Sequence, residues 1–205
     1  MTISNLKIIF SFFFISFLTA CSSTNYNVNR INGDVLKVED HVASEKSILL
    51  SGKSIYLVNG GNGSTLTLLS GGEHNEVVDG SGLSALTIAY DILRPYSPAL
   101  VKQEKIILED RALEIAATNK NDYLLYSKVE YWSDPFGMAC NQNYYDEASV
   151  LLSLYSVKDK ELINTYRLSA SSCPSKLNGI PLSSGSPEKL YKELFTLWID
   201  KNLKD

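Results

Sequence analysis

The sequence predicts an α+β domain, a mostly antiparallel sheet with about three helices packed on one face. Three observations predict it. Long β-prone segments rich in tyrosine, valine and leucine follow one another at 123–132, 147–157 and 161–170. The second and third are joined by the tight turn Lys158-Asp159-Lys160, which makes them an antiparallel hairpin. Segments with apolar residues three and four apart flank this block, so helices cover a sheet whose long strands are consecutive.

In chain order, short strands are expected at 48–50 and at 54–58, where "SIYLV" is bounded by glycines. The stretch "NGGNGST" (59–65) reads as a turn, 66–69 as a short strand and "SGGEHNEVVDGSG" (70–82) again as turns. Leu83, Leu86, Tyr90 and Leu93 then mark a helix capped by Ser81 or Ser84 and stopped by Pro95. A short strand at 99–101 follows. Leu108, Ala112, Ile115 and Ala116 share one face of a second helix that ends at "TNKND", just before the three long strands. In the final helix Ser186 is the cap, Pro187 the first position and Glu188 the acid at the positive dipole end, while Leu190, Leu194, Leu197 and Trp198 line one face.

The chain has 205 residues, 44% hydrophobic and 20% charged, which suits one globular domain. A net charge of -4 provides no basic footprint for nucleic acid.

Lys7 followed by the apolar core Ile8–Leu18 reads as a signal peptide over residues 1–20, because a core of eleven residues falls short of the ~20 a membrane-spanning helix needs. Leu18-Thr19-Ala20-Cys21 resembles the lipobox of bacterial lipoproteins. The resemblance implies cleavage before Cys21, acylation of its thiol and a membrane anchor of several acyl chains, two of which already hold a protein stably. Ser22 stands where an aspartate retains enteric-type lipoproteins in the inner membrane, so an outer-membrane anchor facing the periplasm is expected. The polar segment 21–33 is expected to be a flexible tether and 34–205 a single domain.

Of three cysteines, Cys140 and Cys173 remain for an oxidising compartment, and a structural disulfide between them is expected. Their spacing fits neither a CxxC motif nor a zinc site. His41 and His74 are the two histidines, 33 positions apart, so no metal or cofactor is implied. His41, among charges, is expected to be exposed.

Catalytic patterns fail one by one. "SGKS" (51–54) has the tail of a phosphate loop, but the first glycine would fall at Ser47 and a strand follows. No G-x-S-x-G elbow occurs, and two histidines leave few bases for a triad. Glu130, Asp134, Asp146 and Glu147 cluster around one loop and could supply paired carboxylates for glycoside cleavage, although acids at strand ends are usually solvated surface. The same loop, "WSDPFGMACNQNYYD", gathers Trp132, Phe136, Tyr144 and Tyr145. That composition suits recognition of protein or sugar, and equally aromatics packed over the sheet end.

Taken together, the lipobox, "SGKSIYLV", the "DGSG" before the first helix, "NDYLLYSKVEYW" and "LSLYSVKDKELINTYRLSA" resemble an uncharacterised family of bacterial lipoproteins. The resemblance covers most of the mature chain and implies no reaction. The element order is also similar to that of periplasmic lipoproteins whose small α+β domains activate or assemble envelope machines. The expectation is a non-enzymatic lipoprotein that binds another envelope component, with a glycan-binding or glycan-acting protein as the alternative.

Overall fold

The computed structural model describes residues 24–31, 34–42, 50–69, 72–134, 146–172, 176–177, 180–181 and 186–203. Its elements run β1 (Thr24–Ile31), β2 (Asp34–Val42), β3 (Ile55–Gly61), β4 (Ser64–Leu69), β5 (Gly72–Val77), α1 (Ser81–Leu93), β6 (Val101–Gln103) and α2 (Glu109–Thr118). They continue with β7 (Tyr123–Ser133), β8 (Asp146–Ser156), β9 (Glu161–Ser172), β10 (Lys176–Leu177), β11 (Ile180–Pro181) and α3 (Pro187–Leu203).

The fold is α+β, as the sequence predicts. The main sheet has the order β1-β2-β9-β8-β7-β3-β6, with β4 and β5 forming a hairpin beside β7. Neighbours are antiparallel from β1 through β7. On the other side of β7, β3 and β6 join in parallel, so the sheet is mixed rather than wholly antiparallel. Parallel neighbours need a crossover, and α1 and α2 supply it.

That connectivity explains one departure from expectation. The path from β3 through α1 to β6 moves toward the sheet edge, and the path from β6 through α2 to β7 moves back. Right-handed crossovers in opposite directions require helices on opposite faces. Accordingly, α1 and α3 bury Ala85, Leu86, Leu93, Leu190, Tyr191, Leu194, Phe195 and Trp198 against Ile55, Leu57, Leu125, Val150, Leu152 and Leu168. Helix α2 packs Ala112 and Ala116 against the alternate residues Tyr56, Val58, Leu124 and Tyr126 on the other face. Expecting all helices on one face was therefore wrong for α2.

Three further differences are local. Residues expected to be tether contribute Thr24–Ile31 as strand β1, which pairs along its whole length with β2, itself unassigned from the sequence. The stretch 70–82, expected to be turns, contains β5, paired with β4 from Ser64↔Val77 to Leu69↔Gly72. Neither expected serine caps α1. Gly80 holds the N-cap position at φ 83°, a conformation glycine adopts without a Cβ clash. At α3 the expectation holds, since the Ser186 hydroxyl accepts from the Lys189 N–H at 3.2 Å. Among the described residues no helix is long and apolar enough to cross a membrane.

Candidate functional site

The register defines two ends of the sheet. At the first, Ser133 lies opposite Glu147, Glu147 opposite Ser171, and Asp146 opposite Ser172. The connection from β7 to β8 therefore leaves and rejoins the sheet here. Its residues Phe136, Tyr144 and Tyr145, and both Cys140 and Cys173, lie outside the described residues, as does Cys21.

Trp132, expected with the recognition aromatics, is instead a core residue. It is 4% exposed, its ring meets Tyr191 at 6.1 Å, and its indole N–H donates to Glu188 at 3.4 Å. The bulge between Val129 and Tyr131 places it there, since strict alternation from Val129 would put it on the face of Leu124 and Tyr126. Trp132 pairs with Ala148, whose face of the sheet is the one α3 covers, so an aromatic at the end of a strand was directed inward.

The acidic residues that the sequence groups together have different environments. Glu130 follows Val129, a residue of the α3 face, so alternation presents its carboxylate on the opposite face, just where the bulge shifts the register. There it accepts two hydrogen bonds from Arg167, at 2.7 and 2.9 Å, and one from the Ser149 hydroxyl at 3.2 Å. Ser149 in turn shares a 3.0 Å hydrogen bond with Ser169. The hydrogen bond from Arg167 is the main cause that holds Glu130 below the ordinary carboxylate range, against the opposing effect of burial. A glutamate kept ionised and clamped in this way is a poor general acid. Asp146 is buried, Asp134 is exposed, and burial raises the Glu147 carboxyl.

Glu130 also yields a pH prediction. Its folded pKa lies below the ordinary 4.5, so its contribution is complete above that value and is lost as pH falls through the folded pKa. The pair is about one-third exposed, so screening limits its worth to roughly 1 kcal/mol. Glu130→Gln is expected to cost about that at pH 7 and progressively less as pH falls through the folded pKa of Glu130, measured by urea unfolding across the acid range. A loss that stays constant as the carboxylate is protonated would show that the ion pair is not the source.

The glycine-rich segment before α1 is a backbone clasp and not an open anion cradle. Gly61 N–H donates to Asn59 Oδ1 at 3.1 Å, Gly63 N–H to the Ser81 hydroxyl at 2.9 Å, and Gly82 N–H to Asn62 Oδ1 at 3.0 Å. These amides are already satisfied within the protein.

At the second end, turns from three parts of the chain meet around a cleft of about 590 Å³. Its charged lining is Lys53, Lys120, Lys158 and Lys160 with Asp122 and Asp159. Asp122 accepts from the Ser54 N–H at 2.8 Å and the Ser54 hydroxyl at 2.9 Å. These bonds hold its carboxyl below the usual range, and they tie the start of β7 to the residue before β3. Asp159 accepts from the Ser156 hydroxyl at 2.8 Å. None of the four lysines forms an ion pair with a carboxylate among the described residues. Sequence reading missed this cluster, because its lysines are spread over three turns far apart in the chain. Among the described residues no group of three or more His, Cys, Asp or Glu is placed to hold a metal.

The sequence matches no protein-family model and no curated protein. Solved structures do resemble it. The PelC dodecamer from Paraburkholderia phytofirmans is similar with a TM-score of 0.54 at 17% identity, covering 83% of this chain and 99% of that one. A single-residue variant of the same PelC gives 0.54 at 15%, covering 82% and 98%. A Xanthomonas campestris protein of the family DUF330 gives 0.45 at 7%, covering 78% and 87%. What this chain has in common with PelC is its fold, over 83% of its own length.

Proposed function

We propose that the chain is a non-enzymatic lipoprotein of the bacterial envelope. In this reading an acylated Cys21 anchors it to the outer membrane, and its domain faces the periplasm and binds another envelope protein. The observation that supports this most is the separation of the two sheet ends. β1 begins at Thr24, three residues after Cys21, level with His41, Thr165, Ser153 and Tyr126 toward one end, while the β7–β8 connection belongs to the other. An anchor at one end leaves Phe136, Tyr144 and Tyr145 free to act as recognition residues at the other. The clamped Glu130 favours binding over catalysis. Asp134 and Glu147 beside the loop could accept hydrogen bonds from sugar hydroxyls, which makes a glycan the second partner chemistry.

Two measurements test the reading. Cells supplied with labelled palmitate should label the parent chain and not Cys21→Ser, and equal label would reject the anchor. A photo-crosslinker at Asp134 should trap an envelope component, and the triple variant Phe136→Ala, Tyr144→Ala, Tyr145→Ala should abolish trapping with an unchanged Tm. The mass of the product separates a second copy of this chain, as in the PelC dodecamer, from a different protein or a glycan. A collapse in Tm would assign these aromatics to the core instead.

The reading includes a disulfide between Cys140 and Cys173. Cys173 directly follows Ser172, which lies opposite the first residue of β8, and Cys140 precedes that residue by six positions. Closing this loop before a partner arrives reduces the ordering cost of binding. Thiol titration of oxidised, denatured protein should find neither cysteine reactive, and two reactive thiols would remove the disulfide from the proposal.

A further inference from the structure

We infer that the lysine-lined end of the domain rests on anionic phospholipid and orients the protein on the membrane. This rests on the proposed membrane attachment upstream of Thr24 and adds to it a specific lipid-facing surface.

Geometry supplies the first argument. The register runs Thr24↔His41, His41↔Thr165, Thr165↔Ser153 and Ser153↔Tyr126. The level at which the chain enters β1 is therefore three positions from Tyr123, where β7 begins and Ser156 lies opposite both Tyr123 and Glu161. That is the end with the cleft of Lys53, Lys120, Lys158 and Lys160. Cys21 precedes Thr24 by three residues, and three residues span at most roughly 11 Å. Attachment through Cys21 thus keeps the lysine end close to the bilayer, whichever way the connecting residues run.

Charge supplies the second. The chain carries a net -4, so four exposed lysines at one end run against its overall balance. The cleft's own carboxylates, Asp122 and Asp159, are engaged by Ser54 and Ser156, and Glu161 follows Lys160; on the α2 side Glu109 accepts from Tyr155, Glu114 pairs with Arg111, and Asp110 is an exposed acid in the neighbouring pocket that Lys160 also lines. The ammonium groups remain available to phosphate. The opposite end carries the exposed Asp134, which an anionic surface repels. Both ends favour the same orientation.

The backbone supplies the third. Lys120 and Lys160 have φ of 57° and 53°, the two non-glycine residues at positive φ among those described. Glycine is the less strained choice at such positions, Lys120 lying just beyond the C-cap of α2. Folding alone does not call for lysine there, whereas a requirement for charge does.

The test uses the full chain, isolated from membranes and reconstituted into vesicles of phosphatidylcholine with or without phosphatidylglycerol. A photo-crosslinking residue is placed at Asn119, on the lysine end, or at Asp134, on the other. Lipid adducts are expected from Asn119 and not from Asp134, with a yield that falls roughly fivefold or more in high salt, in neutral vesicles, or with all four lysines changed to Gln. A second variant, Lys120→Gly with Lys160→Gly, removes two charges while relaxing the backbone, so it should lose adducts and remain at least as stable. Adducts from Asp134, no adducts at all, or a yield from Asn119 that ignores salt, lipid and lysines would overturn the inference. The mass of the Cys21 peptide is read from the same samples. An unacylated peptide with the expected adduct pattern rejects the acyl anchor alone, and an acylated peptide without the pattern rejects the lysine surface alone.

Discussion

Trp198→Ala is expected to lower the unfolding free energy by about 3–5 kcal/mol, the usual cost of removing a buried tryptophan. The indole is 0% exposed and links β9 to an aromatic chain along α3. Tyr166 of β9 meets it edge-on at 5.3 Å and 74°, and Phe195 lies 5.2 Å away. Phe195 continues to Tyr191 at 5.6 Å, and Tyr191 to Trp132 at 6.1 Å. Truncation therefore loses the transfer energy of a large apolar group and leaves a cavity under α3 that its ring-shaped neighbours fill poorly. A domain of this size has a total stability of about 5–15 kcal/mol, so most of it is at risk. Urea unfolding should show a lower midpoint with an unchanged slope. Leu197→Ala, at a partly buried position of the same helix, should cost distinctly less. A loss under about 1 kcal/mol for Trp198→Ala would mean that α3 does not dock on the sheet as described.

The second large effect opposes helix propensity. Alanine is favoured over glycine inside a helix by about 1 kcal/mol, yet Gly82→Ala in α1 is expected to destabilise by about 2 kcal/mol. A Cβ there would lie 2.5 Å from Asn59 Oδ1, 2.7 Å from the Gly61 carbonyl oxygen and 3.0 Å from the Gly61 carbonyl carbon. Two of these are backbone atoms and cannot swing aside. Asn59 is 3% exposed and already spans from the Gly61 N–H to the Glu104 carbonyl, so it cannot yield without breaking those bonds. Thermal unfolding of Gly82→Ala decides the sign. A higher Tm would mean that the clasp between the 59–63 segment and α1 is loose.

The sequence was most readable where local chemistry and tertiary demand agreed. The final helix is an example, with Ser186, Pro187 and a regular apolar face, and so is the 147–170 hairpin. Readability failed where a choice depended on residues far away. The face occupied by α2 follows from the direction of two crossovers, which no window of residues contains. Trp132 has the composition of a binding loop, but its strand position directs it under α3. β1 is polar and aperiodic and exists because β2 offers an edge to pair with. The lysine cleft is invisible for the same reason, since "SGKS", "TNKND" and "KDK" become neighbours only when three turns are brought to one sheet end.

The pairing of β1 has a mechanical consequence. It is an edge strand joined to the sheet through β2 alone, and the chain enters it at Thr24 travelling along the strand axis. A pull on the N-terminus, balanced by a grip at the far end of the domain, acts parallel to that axis. The ladder from Thr24↔His41 to Ile31↔Asp34 is then loaded in shear, with its register pairs bearing tension together instead of unzipping one after another. An edge strand can in this way serve as the force-bearing joint between whatever holds the N-terminus and whatever holds the opposite end.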